Sequence, residues 1–399
     1  MKTFLKMGSI AFTVSIVIVV LIFSLSPPAS AWQWPSTFAI TTTGTATAGY
    51  AQTLSWGSLL EEQTGMKVRV IPSDNYAERA RAHKAGQSVL SINTITEVFT
   101  QCEASETHAT REGGPYETRI FWSNARVPFG FIVTKDSDIK TIYDLKKRKP
   151  KIALFSPSPT SVLQVKALLA MIELDEKDVT FVPVTTWGSS TKSVPEGKAD
   201  VAFASPIAAV SFEAEASAKG IRWLELPKED KEGLGRYSRI IRGVSFAPAS
   251  KGVKSAHGVH MVANISYYHA LASADPELIY QVAKWLGENH SKYKDKHPDS
   301  GDMNIEIQRE NLDLAHQMNY LPVHDGTIRY LKEKGKWHPA DTAWNDKNKE
   351  LLARYVKAYK AAIAAADEKN IKIAPDNKDW VVLWESFKKD FLFFGAVAK

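Results

Sequence analysis

The chain has 399 residues, 44% of them hydrophobic and 24% charged, and a formal net charge of +6. That length suits two domains at ~100–200 residues each, and Lys and Arg mixed among Asp and Glu, instead of gathered in a stripe, argue against nucleic acid as a partner. The single cysteine, Cys102, excludes an internal disulfide and leaves stability to the core.

Residues 1–31 differ in kind from the rest. Lys2 and Lys6 precede an apolar run from Ile10 to Leu25, Pro27-Pro28 breaks it, and Ala29-Ser30-Ala31 has the small residues of a cleavage site. The pattern predicts a signal peptide cut before Trp32 and a periplasmic mature protein. An uncleaved anchor is the open alternative, because the run approaches the ~18 residues of a spanning helix. Removing Lys2 and Lys6 takes the formal charge from +6 to +4.

From Trp32 the chain reads as alternating strands and helices. Phe38 to Ile40 is a strand that runs into the hydroxyl-rich loop Thr41 to Tyr50; a helix through Leu54, Leu59 and Leu60 then stops at Thr64-Gly65, and Val68 to Ile71 is the next strand. Pro72-Ser73-Asp74-Asn75 caps a helix from Tyr76 to Lys84, and a strand from Val89 to Ile92 leaves at Asn93-Thr94. Ile120 to Thr134, rich in aromatic and β-branched residues, predicts a long strand crossing a hinge. Beyond it, Ile152 to Phe155 is a strand, Ser156 to Ser161 a loop of N-cap residues and prolines, Val162 to Ile172 a helix and Val179 to Val184 a strand: a second parallel βαβ unit. Ala199 to Ala204 is a buried strand leaving at Ser205, Arg236 to Pro248 reads as the return crossing, His260 to Ile265 as a strand and Pro276 to Asn289 as an amphipathic helix. The expectation is an α/β fold of two lobes with a hinge and central cleft: residues 32–127 and 241–337 for the first, 128–240 for the second, with 338–399 a C-terminal helical extension.

Ligands of open α/β sheets sit beyond the carboxyl ends of the strands, where helix N-termini offer free N–H groups to an anion. The loops at those positions nominate Thr43, Gly44, Ser158, Thr160 and Ser161 as donors. Ser73, Asn75, Asn93 and Ser205 stand at further strand exits. Tyr50 or Trp187 would wall the pocket, and Arg79 or Arg126 would pair with a carboxylate. Each has a plainer use: hydroxyls as caps, aromatics as core, arginines as solvated groups. No nucleotide loop, hydrolase elbow or zinc-protease motif is present, so neither a cofactor nor catalysis is expected.

The order of segments resembles the TAXI family, the extracytoplasmic solute-binding subunits of TRAP transporters, over about residues 36–337. The resemblance rests on Thr43-Gly44 with Tyr50, Thr64-Gly65, Ser73 to Asn75 before a helix closing on Gly86, Ser137-Asp138-Ile139 with Asp144-Leu145-Lys146, Gly197 to Val201, and Leu321-Pro322-Val323-His324-Asp325-Gly326-Thr327-Ile328-Arg329-Tyr330. Two features depart from it: prolines in Ser156 to Ser161, where that family is glycine-rich, and Ser73-Asp74, where it has Gly-Ser. The resemblance implies a type II periplasmic binding-protein fold that closes on a small organic anion, a carboxylate, dicarboxylate or acidic amino acid, and delivers it to TRAP membrane permease subunits. The same fold can serve a sensor passing ligand occupancy to a membrane receptor or, as the weaker alternative, a periplasmic enzyme.

Overall fold

The computed structural model describes residues 32–396, except for the side chains of 124–126. The expected signal peptide, 1–31, lies outside the described residues. The fold is that of the unit beginning at Ser36.

That unit opens with β1 (Thr37–Thr42), α1 (Ala48–Thr64), β2 (Lys67–Pro72), α2 (Tyr76–Lys84), β3 (Leu90–Thr94), α3 (Ile95–Cys102) and the 17-residue β4 (Thr118–Thr134). The middle of the chain gives β5 (Lys151–Phe155), α4 (Pro159–Met171), β6 (Thr180–Val184), α5 (Trp187–Lys192), β7 (Ala202–Ala204), α6 (Ala209–Ala216), β8 (Ile221–Leu224), α7 (Lys231–Ile240) and β9 (Ser245–Pro248). The last third holds β10 (His260–Leu271), α8 (Pro276–Tyr293), α9 (Ile305–Ala315), α10 (Asp325–Glu333), α11 (Pro339–Glu368) and α12 (Lys378–Lys388). No described helix is long and apolar enough to cross a membrane.

The pairing pattern writes one topology twice. In the first lobe the order is β2-β1-β3-β10-β4, with β1 parallel to both neighbours and β10 antiparallel to β3 and β4. In the second lobe β6 and β5 are parallel, a bridge from Ile152 to Val201 carries β5 to the start of β7, and β4 pairs antiparallel with β7 and β8. That order is β6-β5-β7-β4-β8, with β4 in the place that β10 holds in the first lobe. Two lobes of this order, joined by strands that each serve both, constitute the type II periplasmic binding-protein fold, here with a helical C-terminal extension.

The crossing strand is where the sequence puts it, and the return crossing is not. Arg236 to Pro248 folds as the end of α7 and the short β9, while the strand that runs back beside β4 is β10. β10 outlasts its apolar signal because Ser266, Tyr267, Tyr268 and His269 stay buried between β3 and β4. Their polar atoms find partners inside: the Tyr268 hydroxyl accepts from Trp56 Nε1 at 3.0 Å, and the Tyr320 hydroxyl donates to that of Tyr267 at 2.7 Å.

The extension covers the back of α3. Leu352, Tyr355 and Tyr359 of α11 and Trp380 and Trp384 of α12 pack into one cluster with Ile95, Val98, Phe99 and Cys102. Phe394 stacks on Phe99 at 5.9 Å, and its N–H donates to the buried Glu103 carboxylate at 2.8 Å, which also accepts from Arg242 Nη2 at 2.6 Å. Of the docking segment expected at Phe391 to Phe394, Phe394 is buried, Phe391 packs against Tyr355, and Leu392 and Phe393 are exposed.

Candidate functional site: a cavity between the lobes

Three strands end in helix starts, and all three starts face one cavity. After β1, Thr47 caps α1: its hydroxyl accepts from Tyr50 N–H at 3.4 Å, donates to Gly44 O at 2.7 Å and touches the Thr43 hydroxyl. A Cβ at position 44 would overlap the Asp74 carboxylate, which would have to turn aside. After β3, Thr94 and Glu97 form a capping box at the head of α3. After β5, Ser158 caps α4 by accepting from Ser161 N–H at 3.3 Å, with Pro159 in the first turn, where its missing donor costs nothing.

The loops bond across the gap. Thr94 Oγ1 and Thr160 Oγ1 are 2.9 Å apart, Ser158 Oγ donates to Glu97 Oε1 at 3.0 Å, and Tyr76 N–H donates to Pro157 O at 3.2 Å. The cavity they border has a volume of about 80 Å³.

Its two walls differ in chemistry. The first lobe supplies polar groups, among them Thr43, Thr47, Asp74, Arg79, Asn93 and Asp299, with Glu97 at the edge; the second supplies Phe129, Phe155, Trp187 and Phe203 with Ser158, Thr160 and Ser205. Arg79 is 2% exposed and is held from three sides: Nη1 donates to Ser73 O at 2.6 Å, Nη2 donates to Asn93 Oδ1 at 3.2 Å, and Nη2 lies 3.6 Å from Glu97 Oε2. Its Nε, also buried, has no partner. Burial pushes the Asp299 carboxyl up to about 7, against the pull of Lys251 at 4.0 Å. Among the described lining residues Arg79 is the one cation, set against three carboxyls and the positive ends of α1, α3 and α4, each equivalent to about half a charge.

Of the residues nominated from sequence, Thr43, Arg79, Asn93, Ser158, Thr160, Trp187 and Ser205 line this cavity. Gly44 lies directly behind it against Asp74, and Ser161 is one residue deeper, its N–H bonded to Ser158. Tyr50 is half-buried outside the lining. Ser73 and Asn75 are occupied as caps of α2: Asn75 Oδ1 accepts from Glu78 N–H at 3.2 Å, and Ser73 Oγ accepts from Asn75 N–H at 3.1 Å. The backbone of Arg126 pairs with Ile265, and its side chain lies outside the described residues. Sequence reasoning missed Thr47, Asp74, Thr94, Glu97, Phe129, Phe155, Phe203 and Asp299. Thr94-Ile95-Thr96-Glu97 carries a readable signal, the capping-box spacing; Asp299 carries none.

Asn75→Ala is therefore expected to cost about 1 kcal/mol of stability, the usual loss for an N-cap, and to leave solute affinity near wild type. Urea denaturation and calorimetric titration of the same sample read the two effects separately.

A model of the NMT1-like family matches residues 40–335. No curated protein matches the chain. Among solved structures the chain is similar to MatC from Rhodopseudomonas palustris with bound malate, at 11% identity and TM-score 0.48 over 78% of this chain and 99% of that one. It is also similar to the periplasmic aliphatic sulphonate binding protein SsuA from Escherichia coli, at 16% identity and TM-score 0.38 over 78% and 79%. A third is a binding protein component of an ABC phosphonate transporter from Pseudomonas aeruginosa, at 10% identity and TM-score 0.45 over 83% and 99%.

Proposed function

The chain belongs to the NMT1-like family, and on that premise we propose that it is a periplasmic solute-binding protein that captures a small organic acid between its lobes. In this reading it delivers the solute to a TRAP-type membrane permease, as the TAXI-like motifs suggest, and performs no chemistry on it. The observation that carries the reading is the convergence of three helix N-termini and Arg79 on one cavity between the lobes. Backbone N–H groups in a first helical turn have no partner within their helix, and together with a guanidinium they suit a carboxylate.

The lobe limits belong to the same proposal, with one adjustment. Ala249, Val253, Ala256 and Met261 pack among Ile132, Ala153, Ala202 and Trp223, which supports ending the second lobe near 262 in place of 240. The first lobe then resumes within β10.

The test is a thermal-shift and tryptophan-fluorescence screen of organic and amino acids. A ligand that binds only the folded state at a hundred times its Kd adds about 2.7 kcal/mol, which moves the melting temperature by several degrees. Silence across the panel in both readouts sinks solute capture.

A further inference from the structure

The second-lobe wall says what kind of acid the cavity takes. Phe129 and Phe203 stack at 5.5 Å, and Trp187 sets its edge or face against Phe129, Phe155 and Phe203 at 6.1, 6.4 and 5.9 Å. Phe129 and Trp187 each keep 8% of their surface open while lining the cavity, whereas Phe155 and Phe203 are closed behind them. The hydroxyls on this side are already engaged: Ser158 with Glu97, Thr160 with Thr94, and Ser205 with Pro128 O at 3.0 Å. Among the described lining residues this wall has no cationic side chain.

Resting on the solute-capture reading, we propose that the bound acid is a monocarboxylate with an apolar, ring-sized body. Its carboxylate lies toward the Arg79 guanidinium and the helix starts, and its ring lies against Phe129 and Trp187. A second carboxylate reaching the far wall would lose its water among aromatic faces and gain no counter-charge, which burial makes costly. A flat apolar body gains from the same faces, since aromatic pairs add to the burial of their area. Trp187 and Phe129 are thus the residues that set specificity, with Phe203 packed behind them.

The experiment is calorimetric titration of the full chain with phenylacetate and cyclohexanecarboxylate as ring-bearing probes, and with succinate and L-glutamate as probes carrying a second charged end. The ring-bearing acids should bind at least tenfold more tightly. Trp187→Leu, checked for a wild-type circular-dichroism spectrum, should weaken phenylacetate about tenfold, and Phe129→Leu serves if the first variant fails to fold. Should succinate or glutamate bind as well as the ring-bearing acids, or should a folded wall variant keep wild-type affinity for phenylacetate, the apolar-body assignment is overturned while solute capture stands. If no acid of either kind binds, both readings fall.

Discussion

Replacing Arg79 by methionine is expected to abolish solute binding and to lower stability by about 3–5 kcal/mol, the usual cost of leaving a buried charge without its partner. The guanidinium is enclosed by Ser73 O, Asn93 and Glu97, and the Glu97 carboxylate stays buried when it goes, supported only by Ser158 Oγ and Thr94 N–H. The double change Arg79→Met with Glu97→Gln removes both charges and should recover much of the lost stability, with a coupling of about 1–3 kcal/mol. It should not recover binding. Urea denaturation of wild type, both single variants and the double variant closes the cycle, and calorimetric titration reads affinity. A single variant within 1 kcal/mol of wild type would mean that the pair does not hold the wall.

Acidification is expected to be the other large effect. His83, His108 and His269 are fully buried, and desolvation lowers their imidazoles to about 4, 3 and 3 from the usual 6.5. Both ring nitrogens of His269 and Nε2 of His83 and His108 lack partners. These groups stay neutral in the native state while the unfolded chain takes up protons below pH 6.5. Their contribution is therefore complete above that value and is lost as pH falls toward the folded values. At pH 5 each costs about 2 kcal/mol, so the three together cost about 6 kcal/mol, against a typical total stability of ~5–15 kcal/mol.

Asp299 works in the opposite sense. Its carboxyl, raised to about 7, holds a proton that the unfolded chain has released, so its contribution shrinks as pH rises from about 4 to 7 and returns on acidification, by up to about 3 kcal/mol between pH 7 and 5. The balance is still a net loss of a few kcal/mol. Urea midpoints measured from pH 7.5 to 5 should fall, steepest below 6.5; a flat profile would exclude neutral buried histidines.

The frame of this fold is legible in the sequence wherever apolar periodicity and punctuation agree. β1 with its threonine loop and β5 with its Ser/Pro loop stand out because a short apolar run, N-cap residues and a helical stripe follow one another. Arg79 is legible because it sits one helical turn beyond Asn75. The site's aromatic wall is not: Phe129 and Phe203 occupy strand positions whose pattern is the same whether the side chain faces core or cavity. α11 also begins earlier than its apolar stripe, at Pro339 instead of Lys347. Its first turns bury polar residues that work through specific bonds: Asp341 with Arg309 at 2.6 Å, Asn345 accepting from Val323 N–H at 2.7 Å and Asn348 from Tyr320 N–H at 2.8 Å. Hydrophobic periodicity registers apolar burial alone, so such partnerships are invisible until the chain is folded.

The position of β10 between β3 and β4 has a consequence for how the chain is made. Residues up to Thr134 leave the ribosome early, yet their sheet has a gap that only His260 to Leu271 fills. At a synthesis rate of ~5–20 residues per second the wait is roughly 6–25 s, and pairing over such sequence distances is slow by nature. The strand exchange that unites the lobes therefore delays their closure until about two thirds of the polypeptide has emerged.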